Sequence, residues 1–379
     1  MGRIAIIKRN YTPYGGGEKY ALGTVEAFSR RGFRVDVLTS TRQGWPRAAE
    51  DVCYIQFPVI RGSKFTEIVS FNQRINGYLA ENWEAYKCVL GMETTTRQTH
   101  IRAGGGCHRG WLERRRKYRS SAKNWSFKVN PRHVATNILE ERAFKNQSLK
   151  RVFANSRMVK EEIIRYYGVD ERKIEVTHNG VEWDEFSESF EEARDRRNEL
   201  RRKMDLDPDR FYFLFVGSGF ERKGLKEAMI ALQTLPKDVA LLVVGKDRKQ
   251  KRYFGLGEKL KLRNRVVFYG PRVDVIKFYQ VADCFVLPTT YDPFSNAALE
   301  ALAMGLFTVT TTANGCAEVI QDFAGAIIQE IGDVDAVAEA MWRGLSSEHP
   351  RRRIRESVKH LTFENQLDKM VEMCIKDTK

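Results

Sequence analysis

Residues 290–305, TYDPFSNAALEALAMG, combine an apolar helical pattern with a carboxylate, Glu300, that the pattern does not explain. The predicted helix is apolar on every side except at Glu300, so we expect it to be buried. A buried carboxylate requires a partner. The helix begins near Ser295 or Asn296, and Glu300 lies too far beyond either residue to be the carboxylate of a capping box. We therefore interpret Glu300 as a group that binds a ligand.

A second carboxylate, Asp292, stands in the loop between the predicted strand DCFVLP and this helix. Open α/β sheets bind ligands at the carboxyl ends of their strands, so Asp292 and Glu300 are predicted to point into one crevice. Backbone N–H groups at the helix start suit an anion or sugar hydroxyls, and they belong to Phe294, Ser295 and Asn296. The alternative is a buried salt bridge beside a stray surface aspartate.

The loop GSGFERKG, residues 217–224, also follows a predicted strand and opens a helix. It places Arg222 and Lys223 beside backbone amides that can cradle a phosphate. The string is neither a GxGxxG motif nor a Walker loop, and a basic pair at a helix start is also typical of a solvated surface. Its significance comes from its position at an equivalent strand end, in the same half of the chain as Asp292 and Glu300.

Alternating strands and helices must position these loops. The N-terminus predicts a strand at RIAIIKRN, a glycine-rich loop YGGGEK at 14–19, a helix closed by Gly32, and a further strand at FRVDVLTS. This βα order is typical of a parallel sheet. The glycines of the 14–19 loop allow close approach of the backbone to a ligand, although a tight turn explains them equally well.

The same order restarts at FYFLFVG, residues 211–217, and continues through VALLVVG, RVVFYG, DCFVLP and LFTVTTT. A chain of 379 residues is also long for one core. The pattern therefore predicts an α/β protein with two Rossmann-like domains. Charge density rises over 182–210, which places the boundary near residue 185 and the domains at 1–185 and 186–379. The final segment, 357–379, either closes the second domain or packs back on the first.

The composition is that of a folded globular chain, with 42% hydrophobic and 30% charged residues. A formal net charge of +15 favours negatively charged partners: nucleic acid, an anionic membrane or a phosphorylated substrate. The start MGRIAIIKRN is too short and too charged for a signal peptide, and no run is long enough to span a bilayer. The six scattered cysteines contain no CxxC pair, which favours reduced thiols over disulfides. We expect a cytoplasmic protein whose membrane association is peripheral.

With these motifs the chain resembles the retaining glycosyltransferases of family 4, which have the GT-B fold of two Rossmann-like domains facing across a cleft. The signature is an acidic residue, seven others and a glutamate, here Asp292 to Glu300. Further similarity lies in GGGEK, FERKG, VVGKD, FYQVAD, TTTANGCAEVI and the segment 154–182. The Arg-Lys-Gly order of residues 222–224 is similar to that of the phosphate loop in the lipopolysaccharide core α-glucosyltransferases. Asp292 departs from the usual glutamate, and Ser218 stands where the family usually has arginine.

The resemblance implies a nucleoside diphosphate sugar as donor, UDP-glucose or UDP-N-acetylglucosamine, with no other cofactor and no metal. In this reading Glu300 holds the ribose hydroxyls, Arg222 and Lys223 neutralise the diphosphate, and backbone near Arg272 and Val273 reads the base. Fixed cations there stabilise the negative charge that develops on the leaving diphosphate.

The resemblance also implies where the transferred sugar lies. Backbone amides of Phe294, Ser295 and Asn296 bind it, and Gly16 and Gly17 close over it. The first domain binds the acceptor, a lipopolysaccharide core or another lipid-linked glycan. Transfer proceeds with retention, and no protein nucleophile is assigned.

Two histidines of the segment THIRAGGGCHRGW, His100 and His108, are of interest because many family members have a histidine near the transferred sugar. His108 is the candidate, and a hydrogen-bonded structural histidine is the alternative. Neither spacing is typical of a metal site.

The segment 109–133 interleaves Arg and Lys with aromatic residues, which suits an anionic membrane surface at the inner face of the cell membrane. RNA binding is disfavoured because no RRM, KH or helix-turn-helix pattern accompanies it. A plain solvated helix is the remaining alternative. For the whole chain, the competing function is a catalytically inactive GT-B relative that binds anionic glycolipid or nucleic acid.

Overall fold

A computed structural model describes residues 2–11, 16–47, 49–118, 130–346 and 348–378. These residues form two compact units. The first comprises Met1–His178 together with Glu364–Lys379, and the second comprises Asn179–Phe363.

The first unit is built on a seven-stranded parallel sheet with the order β3-β2-β1-β4-β5-β6-β7. The predicted strand RIAII is its centre, and its residues from Ile4 to Ile7 have no exposed surface, as expected for a strand covered on both faces. The strands are β1 (Arg3–Ile7), β2 (Arg34–Thr39), β3 (Val52–Gln56), β4 (Cys88–Gly91), β5 (His100–Ala103), β6 (Arg151–Ala154) and β7 (Ile174–Val176).

Helices cover this sheet, and the first of them corrects one prediction. Residues 14–19 were predicted to be a loop, but Gly16 and Gly17 already lie in the first turn of a helix that buries Tyr20, Val25 and Phe28. The apolar stripe formed by these side chains explains why the helix forms despite its glycines. The helices are α1 (Gly16–Ser29), α2 (Lys64–Asn82), α3 (His108–Lys117), α4 (Pro131–Phe144) and α5 (Arg157–Tyr167).

The second unit contains a six-stranded parallel sheet with the order β10-β9-β8-β11-β12-β13. Every residue of VALLVV in its strand β9 is buried, which again indicates helices on both faces. The strands are β8 (Phe211–Val216), β9 (Val239–Val244), β10 (Val266–Gly270), β11 (Cys284–Leu287), β12 (Phe307–Thr311) and β13 (Gly325–Ile328).

The second unit opens with a long helix in the charged segment where apolar periodicity fades, and a kink at Arg196 interrupts it. The boundary predicted near residue 185 lies within this helix, a few residues after the division between the units. The C-terminal helix, whose placement the sequence left open, belongs to the first unit. The helices of the second unit are α6 (Trp183–Lys203), α7 (Phe220–Lys223), α8 (Leu225–Thr234), α9 (Gln250–Lys259), α10 (Ile276–Val281), α11 (Asn296–Ala303), α12 (Val334–Ser346) and α13 (Arg351–Ser357), and the C-terminal helix is α14 (Phe363–Lys376).

Both sheets reverse their strand order beside their first strand, at β1/β4 and at β8/β11. Open parallel sheets bind ligands at the carboxyl side of such a switch point. The prediction of two Rossmann-like parallel domains is confirmed. All six cysteines lie within the described residues and carry free thiols. No helix in the described part of the chain is long and apolar enough to cross a bilayer.

Candidate active site

The switch point of the second sheet brings two predicted loops together. One loop leaves β8 and opens α7, and the other leaves β11 and opens α11. The carbonyl oxygen of Arg222 accepts hydrogen bonds from the hydroxyls of Thr289 (2.9 Å) and Thr290 (3.1 Å) and from the backbone N–H of Thr290 (2.8 Å). These bonds tie the basic loop to the acidic loop although they are far apart in the sequence.

Lys223 and Asp292 form an ion pair at this point, and both are buried, with exposed fractions of 8% and 7%. Burial lowers the pKa of Lys223 from its usual value, and Asp292 opposes that shift. Asp292 is therefore not a stray surface residue, and Lys223 is not part of a solvated pair. The alternative of a buried salt bridge beside a stray surface aspartate does not describe this site, because the buried ion pair contains Asp292 and joins it to the predicted phosphate-binding lysine.

Arg222 lies at the more open side of the ion pair. Its Nη1 donates to the carbonyl oxygen of Tyr291 at 2.9 Å and lies 3.7 Å from Oδ2 of Asp292, while its side chain is 38% exposed. Two cations thus converge on one carboxylate. An anionic ligand that reaches the exposed side meets a guanidinium held in place by backbone.

Glycines make this arrangement possible at two positions. Gly224 follows Lys223 with φ +78°, and a Cβ there would collide with the carbonyl oxygen of Pro288. Gly217 lies beneath the lysine, where a Cβ would come within 3.3 Å of the Lys223 side chain. The loop therefore requires glycine at Gly224 for its backbone angle and for space.

The start of α11 differs from the prediction at one amide. Ser295, one of the two expected helix starts, is the N-cap, and its hydroxyl accepts from the N–H of Ala298. However, the N–H of Ser295 donates to Oδ1 of Asn314 at 3.1 Å. This amide was predicted to be available to a ligand, but Asn314 satisfies it, because the loop after β12 lies against the helix start. The ligand-binding roles of the Phe294 and Asn296 amides stay predictions.

Two asparagines that sequence reasoning did not assign support this helix start. Asn314 also accepts from the N–H of Cys316 and donates to Thr310. Nδ2 of Asn179 donates to the carbonyl oxygen of Phe294 (3.2 Å) and to Oδ1 of Asn296 (2.7 Å). Both lie in strings already noted for their resemblance, TTTANGCAEVI and the segment 154–182, and that was the available signal.

Glu300 is partly exposed rather than fully buried, which corrects the expectation that its helix is enclosed on every side. Its partner is Tyr279 of α10, whose hydroxyl donates to Oε2 at 2.8 Å and also lies 3.2 Å from the carbonyl oxygen of Ala297. Burial, followed by the nearby Glu300 carboxylate, raises the pKa of Tyr279. The phenol therefore remains a donor that orients Glu300.

The predicted base-reading residues follow β10 at the carboxyl edge of the same sheet. Val273 is 80% exposed, and Arg272 forms a hydrogen-bonded ion pair with Asp274 at 2.9 Å. The Arg272 side chain is thus held by its neighbour, which leaves the backbone of this turn as the predicted reader of the base.

The first unit has charged side chains at its own switch point. Nζ of Lys8 donates to Glu93 at 3.0 Å and lies 3.7 Å from Glu18, and a Cβ on Gly17 would lie 3.8 Å from the same nitrogen. The backbone at Gly17 thus lies close to a charged cluster of Lys8, Glu18 and Glu93, which the sequence analysis did not predict. Gly16 stands at the N-terminus of α1 beside it.

A cavity of about 370 Å³ lies at the carboxyl ends of β1 to β3 in the same unit. Arg9, Asn10, Ser40, Gln56 and Arg61 contribute to its lining. Nε and Nη1 of Arg9 are buried without a hydrogen-bond partner among the described residues. Arginine side chains in the wall of a polar cavity suit an anionic or polyhydroxylated ligand.

His108 is hydrogen bonded within the first unit, as its structural alternative predicted. Its Nε2 lies 3.0 Å from Nδ1 of His133, its ring stacks on Trp111, and its backbone N–H donates to Glu140 at 3.0 Å. Burial, followed by the neighbouring His133 and Arg132, lowers the pKa of His108 to about 4. Its role near a transferred sugar stays a prediction.

His100 is fully buried at the start of β5. It lies 3.3 Å from Cys88 and 3.2 Å from Asp377. Burial opposes protonation of this imidazole, but Cys88 and Asp377 raise its pKa above the usual value.

The basic and aromatic segment 109–133 is only partly described, because residues 119–129, with Trp125 and Phe127, lie outside the described residues. The described part comprises α3, which ends in four consecutive basic residues, and the start of α4.

Comparison with known families matches both halves of the chain. Glycosyltransferase Family 4 matches residues 14–185, and Glycosyl transferases group 1 matches residues 196–361. The lipopolysaccharide glucosyltransferase WaaG of Escherichia coli (strain K12) is 24% identical over 365 residues, which cover 94% of this chain and 93% of that protein. The lipopolysaccharide core biosynthesis glycosyltransferase LpsE of Rhizobium meliloti is 28% identical over 156 residues, 41% of this chain and 46% of LpsE.

Solved structures show the same fold. The crystal structure of WaaG aligns with a TM-score of 0.82 at 22% identity, over 98% of this chain and 99% of that chain. Anabaena HepE in complex with UDP and glucose aligns with a TM-score of 0.71 at 15% identity, over 99% and 100% of the two chains. The resemblance and the fold class predicted from the sequence are both confirmed.

Proposed function

We propose that this chain, which belongs to the GT-B glycosyltransferases with a family 4 domain followed by a group 1 domain, transfers a hexose from a nucleoside diphosphate sugar. The acceptor is a lipopolysaccharide core or another lipid-linked glycan, and the anomeric configuration is retained. The observation that carries the proposal is the convergence of Lys223, Arg222 and Asp292 at the switch point of the second sheet.

Lys223 and Arg222 are assigned to the leaving diphosphate. Because Lys223 is buried, its charge is poorly screened, and a cation in such a site stabilises developing negative charge more strongly than one in water. Asp292 holds the ammonium group in place before the donor binds. It is also the family's sugar-binding acid, shortened here by one methylene group.

Glu300 is assigned to the ribose hydroxyls, with Tyr279 orienting its carboxylate. UDP-glucose and UDP-N-acetylglucosamine are the proposed donors. Support comes from relatives: WaaG is a glucosyltransferase by name, and the HepE structures contain UDP with glucose or UDP-glucose.

The chemical step needs no metal and no protein nucleophile. The bond between the anomeric carbon and the phosphate oxygen breaks, and the acceptor oxygen bonds to the same face of that carbon. The acceptor's proton passes to the leaving phosphate. Fixed cations lower the barrier because they bind the diphosphate most strongly as its charge develops.

The acceptor is assigned to the first unit, where Arg9 and Arg61 line a polar cavity. Guanidinium groups bind phosphate and carboxylate well, so this cavity suits the charged sugars of a lipopolysaccharide core. Gly16 and Gly17 lie at the neighbouring switch point.

Peripheral association with an anionic membrane is proposed for the surface formed by α3 and α4, which pack together. The last turn of α3 is basic throughout, from Arg114 to Lys117. On α4, Val134 and Ile138 are 41% and 45% exposed and lie one helical turn apart on one face. Basic side chains beside exposed apolar ones are the pattern of an interfacial helix.

Release of nucleoside diphosphate tests the proposed function. Wild-type protein is offered uridine, guanosine and adenosine diphosphate sugars, with and without lipopolysaccharide core acceptor, beside Lys223→Ala and its control Lys226→Ala. Lys226 is exposed and lies on the next helix, α8, so it controls for loss of a nearby positive charge. We expect acceptor-dependent release from one donor, lost in the Lys223 variant and kept in the control.

Two other outcomes have distinct meanings. Donor binding without release from any member of the panel would support the inactive relative that binds anionic glycolipid or nucleic acid. Product with inverted anomeric configuration, determined by NMR coupling constants, would contradict retention while leaving the transferase intact.

A further inference from the structure

Two thiols and one imidazole form a buried cluster in the first unit. Cys88 begins β4, His100 begins β5, and Cys374 lies in the C-terminal helix α14. None of the three has exposed surface. Sγ of Cys88 lies 3.3 Å from Nδ1 of His100, and the three candidate ligand atoms all lie within 4.8 Å of one another. The glycosyl transfer described above makes no use of this cluster.

The imidazole is oriented as a metal ligand would be. Nε2 of His100 lies 3.2 Å from Oδ2 of Asp377, a geometry in which Nε2–H donates to the carboxylate. Arg151 holds that carboxylate with two bonds of 2.7 and 2.8 Å. Metal-binding histidines commonly donate the N–H of their other ring nitrogen to a carboxylate, and this hydrogen bond fixes the tautomer. Nδ1 is thereby directed at the Cys88 sulfur.

The spacing between Cys88 and His100 matches tetrahedral zinc. Zn–S and Zn–N bonds of about 2.3 and 2.0 Å place a sulfur and a nitrogen roughly 3.5 Å apart around one ion. The observed separation of 3.3 Å is close to that value. Two thiolates and one neutral imidazole balance the charge of Zn²⁺, so the complex can remain buried without an unpaired charge. The hydroxyl of Thr99 lies 2.8 Å from Nδ1 of His100.

We propose that Cys88, His100 and Cys374 bind Zn²⁺ and that the ion fastens α14 to the first sheet. The three residues come from distant parts of the sequence and are not separated by the short intervals that identify zinc sites in a sequence. For this reason the sequence predicted no metal site. Zinc bound only by the folded chain stabilises it, because the site does not exist in the unfolded chain.

Metal content and cobalt substitution test the site in the full-length chain, purified under reducing conditions. We expect about one Zn²⁺ per chain by plasma mass spectrometry, and a thiolate-to-cobalt charge-transfer band when Co²⁺ replaces it. Cys374→Ser should weaken the band, because only the Cys88 thiolate remains, and should bind zinc at least about tenfold more weakly. Cys53→Ser, which removes the exposed thiol of the same unit, should behave as wild type.

Three results would overturn the site: no zinc or cobalt binding by the reduced wild type, equal binding by Cys374→Ser, or a Cys88–Cys374 disulfide in peptide mapping of the native chain. In case Cys374→Ser fails to fold, Asp377→Asn keeps all three ligands and should weaken zinc binding about 10- to 100-fold. An unchanged affinity in that folded variant would also count against the site. Chelation should speed proteolysis within residues 364–379, and an unchanged rate would contradict the fastening role.

Discussion

The ammonium group of Lys223 forms an ion pair with the carboxylate of Asp292, and both side chains are buried at the switch point of the second sheet. The pair explains how a lysine can be held without solvent around it, since removing one partner of a buried pair leaves an uncompensated charge. It also gives the lysine two separable roles, one in stability and one in catalysis.

Variants of this pair should separate those roles. Lys223→Met should lower the free energy of unfolding by up to about 3 to 5 kcal/mol, because Asp292 loses its buried partner and, among the described residues, keeps only the partly exposed Arg222, 3.7 Å away, as a cation beside it. The double variant Lys223→Met/Asp292→Asn should recover most of that stability while remaining at least about 100-fold reduced in kcat, the scale of losing a charge-stabilising group. Denaturant unfolding measures the stability of each variant, and product release measures its kcat. Recovery of activity along with stability would make the lysine purely structural.

Glu300 should act on donor binding through the ribose. Glu300→Ala should raise the donor KM about 10- to 100-fold, which corresponds to the loss of hydrogen bonds to a charged group. With a donor that carries 2′,3′-dideoxyribose, wild type and variant should differ little, because both partner hydroxyls are absent. Tyr279→Phe, which leaves the carboxylate but removes its 2.8 Å donor, should have a smaller effect in the same direction. An equal rise in KM with both donors would show that Glu300 does not bind the ribose hydroxyls.

Two glycines with the same backbone angle form a matched pair. Gly219 and Gly224 both have φ +78°, but a Cβ on Gly219 meets nothing within 4 Å, whereas one on Gly224 meets the carbonyl oxygen of Pro288. Gly219→Ala should cost about 1 kcal/mol of unfolding free energy from the left-handed angle alone. Gly224→Ala should cost more than about 3 kcal/mol because the clash adds to that strain. Chemical denaturation measures both, and equal costs would contradict the close approach of Gly224 to Pro288.

Glu140 should make stability depend on pH. Burial is the main cause that raises its pKa to about 7, against hydrogen bonds from Tyr167 and the backbone of His108. The folded chain therefore keeps a proton that the unfolded chain releases near its ordinary pKa, and wild type loses stability as the pH rises from about 4.5 to 7.

Glu140→Gln lacks this titration, so its stability relative to wild type should rise by up to about 3 kcal/mol across that range. His108, whose pKa is lowered to about 4, acts in the opposite direction, but it is present in both proteins and its contribution largely cancels in the difference. Thermal unfolding at closely spaced pH values measures the effect. A constant difference between the two proteins would show that Glu140 titrates normally.

The surface of α3 and α4 should bind anionic vesicles. Replacing Val134 and Ile138 together by serine should weaken vesicle binding at least about tenfold, since two apolar side chains no longer leave water. Ile60→Ser is the control, because Ile60 is an exposed apolar residue elsewhere in the same unit. Co-sedimentation with and without anionic lipid, at low and high salt, measures this. Equal binding of both lipid types, or of all variants, would contradict the proposal.

Much of the fold was predictable because it depends on local patterns. Alternating apolar strands and amphipathic helices identified two parallel-sheet halves, and the residue types narrowed the start of α11 to Ser295 or Asn296, of which Ser295 is the N-cap. Boundaries were less accurate. Gly16 and Gly17 look like a loop when read alone, but packing of Tyr20, Val25 and Phe28 extends α1 over them.

For the site, residue types and strand ends were enough to select the side chains with the right chemistry: Arg222, Lys223, Asp292 and Glu300. Their partners depend on how the strands and loops pack. Strand order placed β8 beside β11 and so joined Lys223 to Asp292. Packing of the loop after β12 let Asn314 take the amide of Ser295. The assignment of α14 to the first unit brought Cys374 to Cys88 and His100. A local pattern carries backbone geometry and polarity, whereas each of these contacts depends on segments that meet only when the sheets assemble.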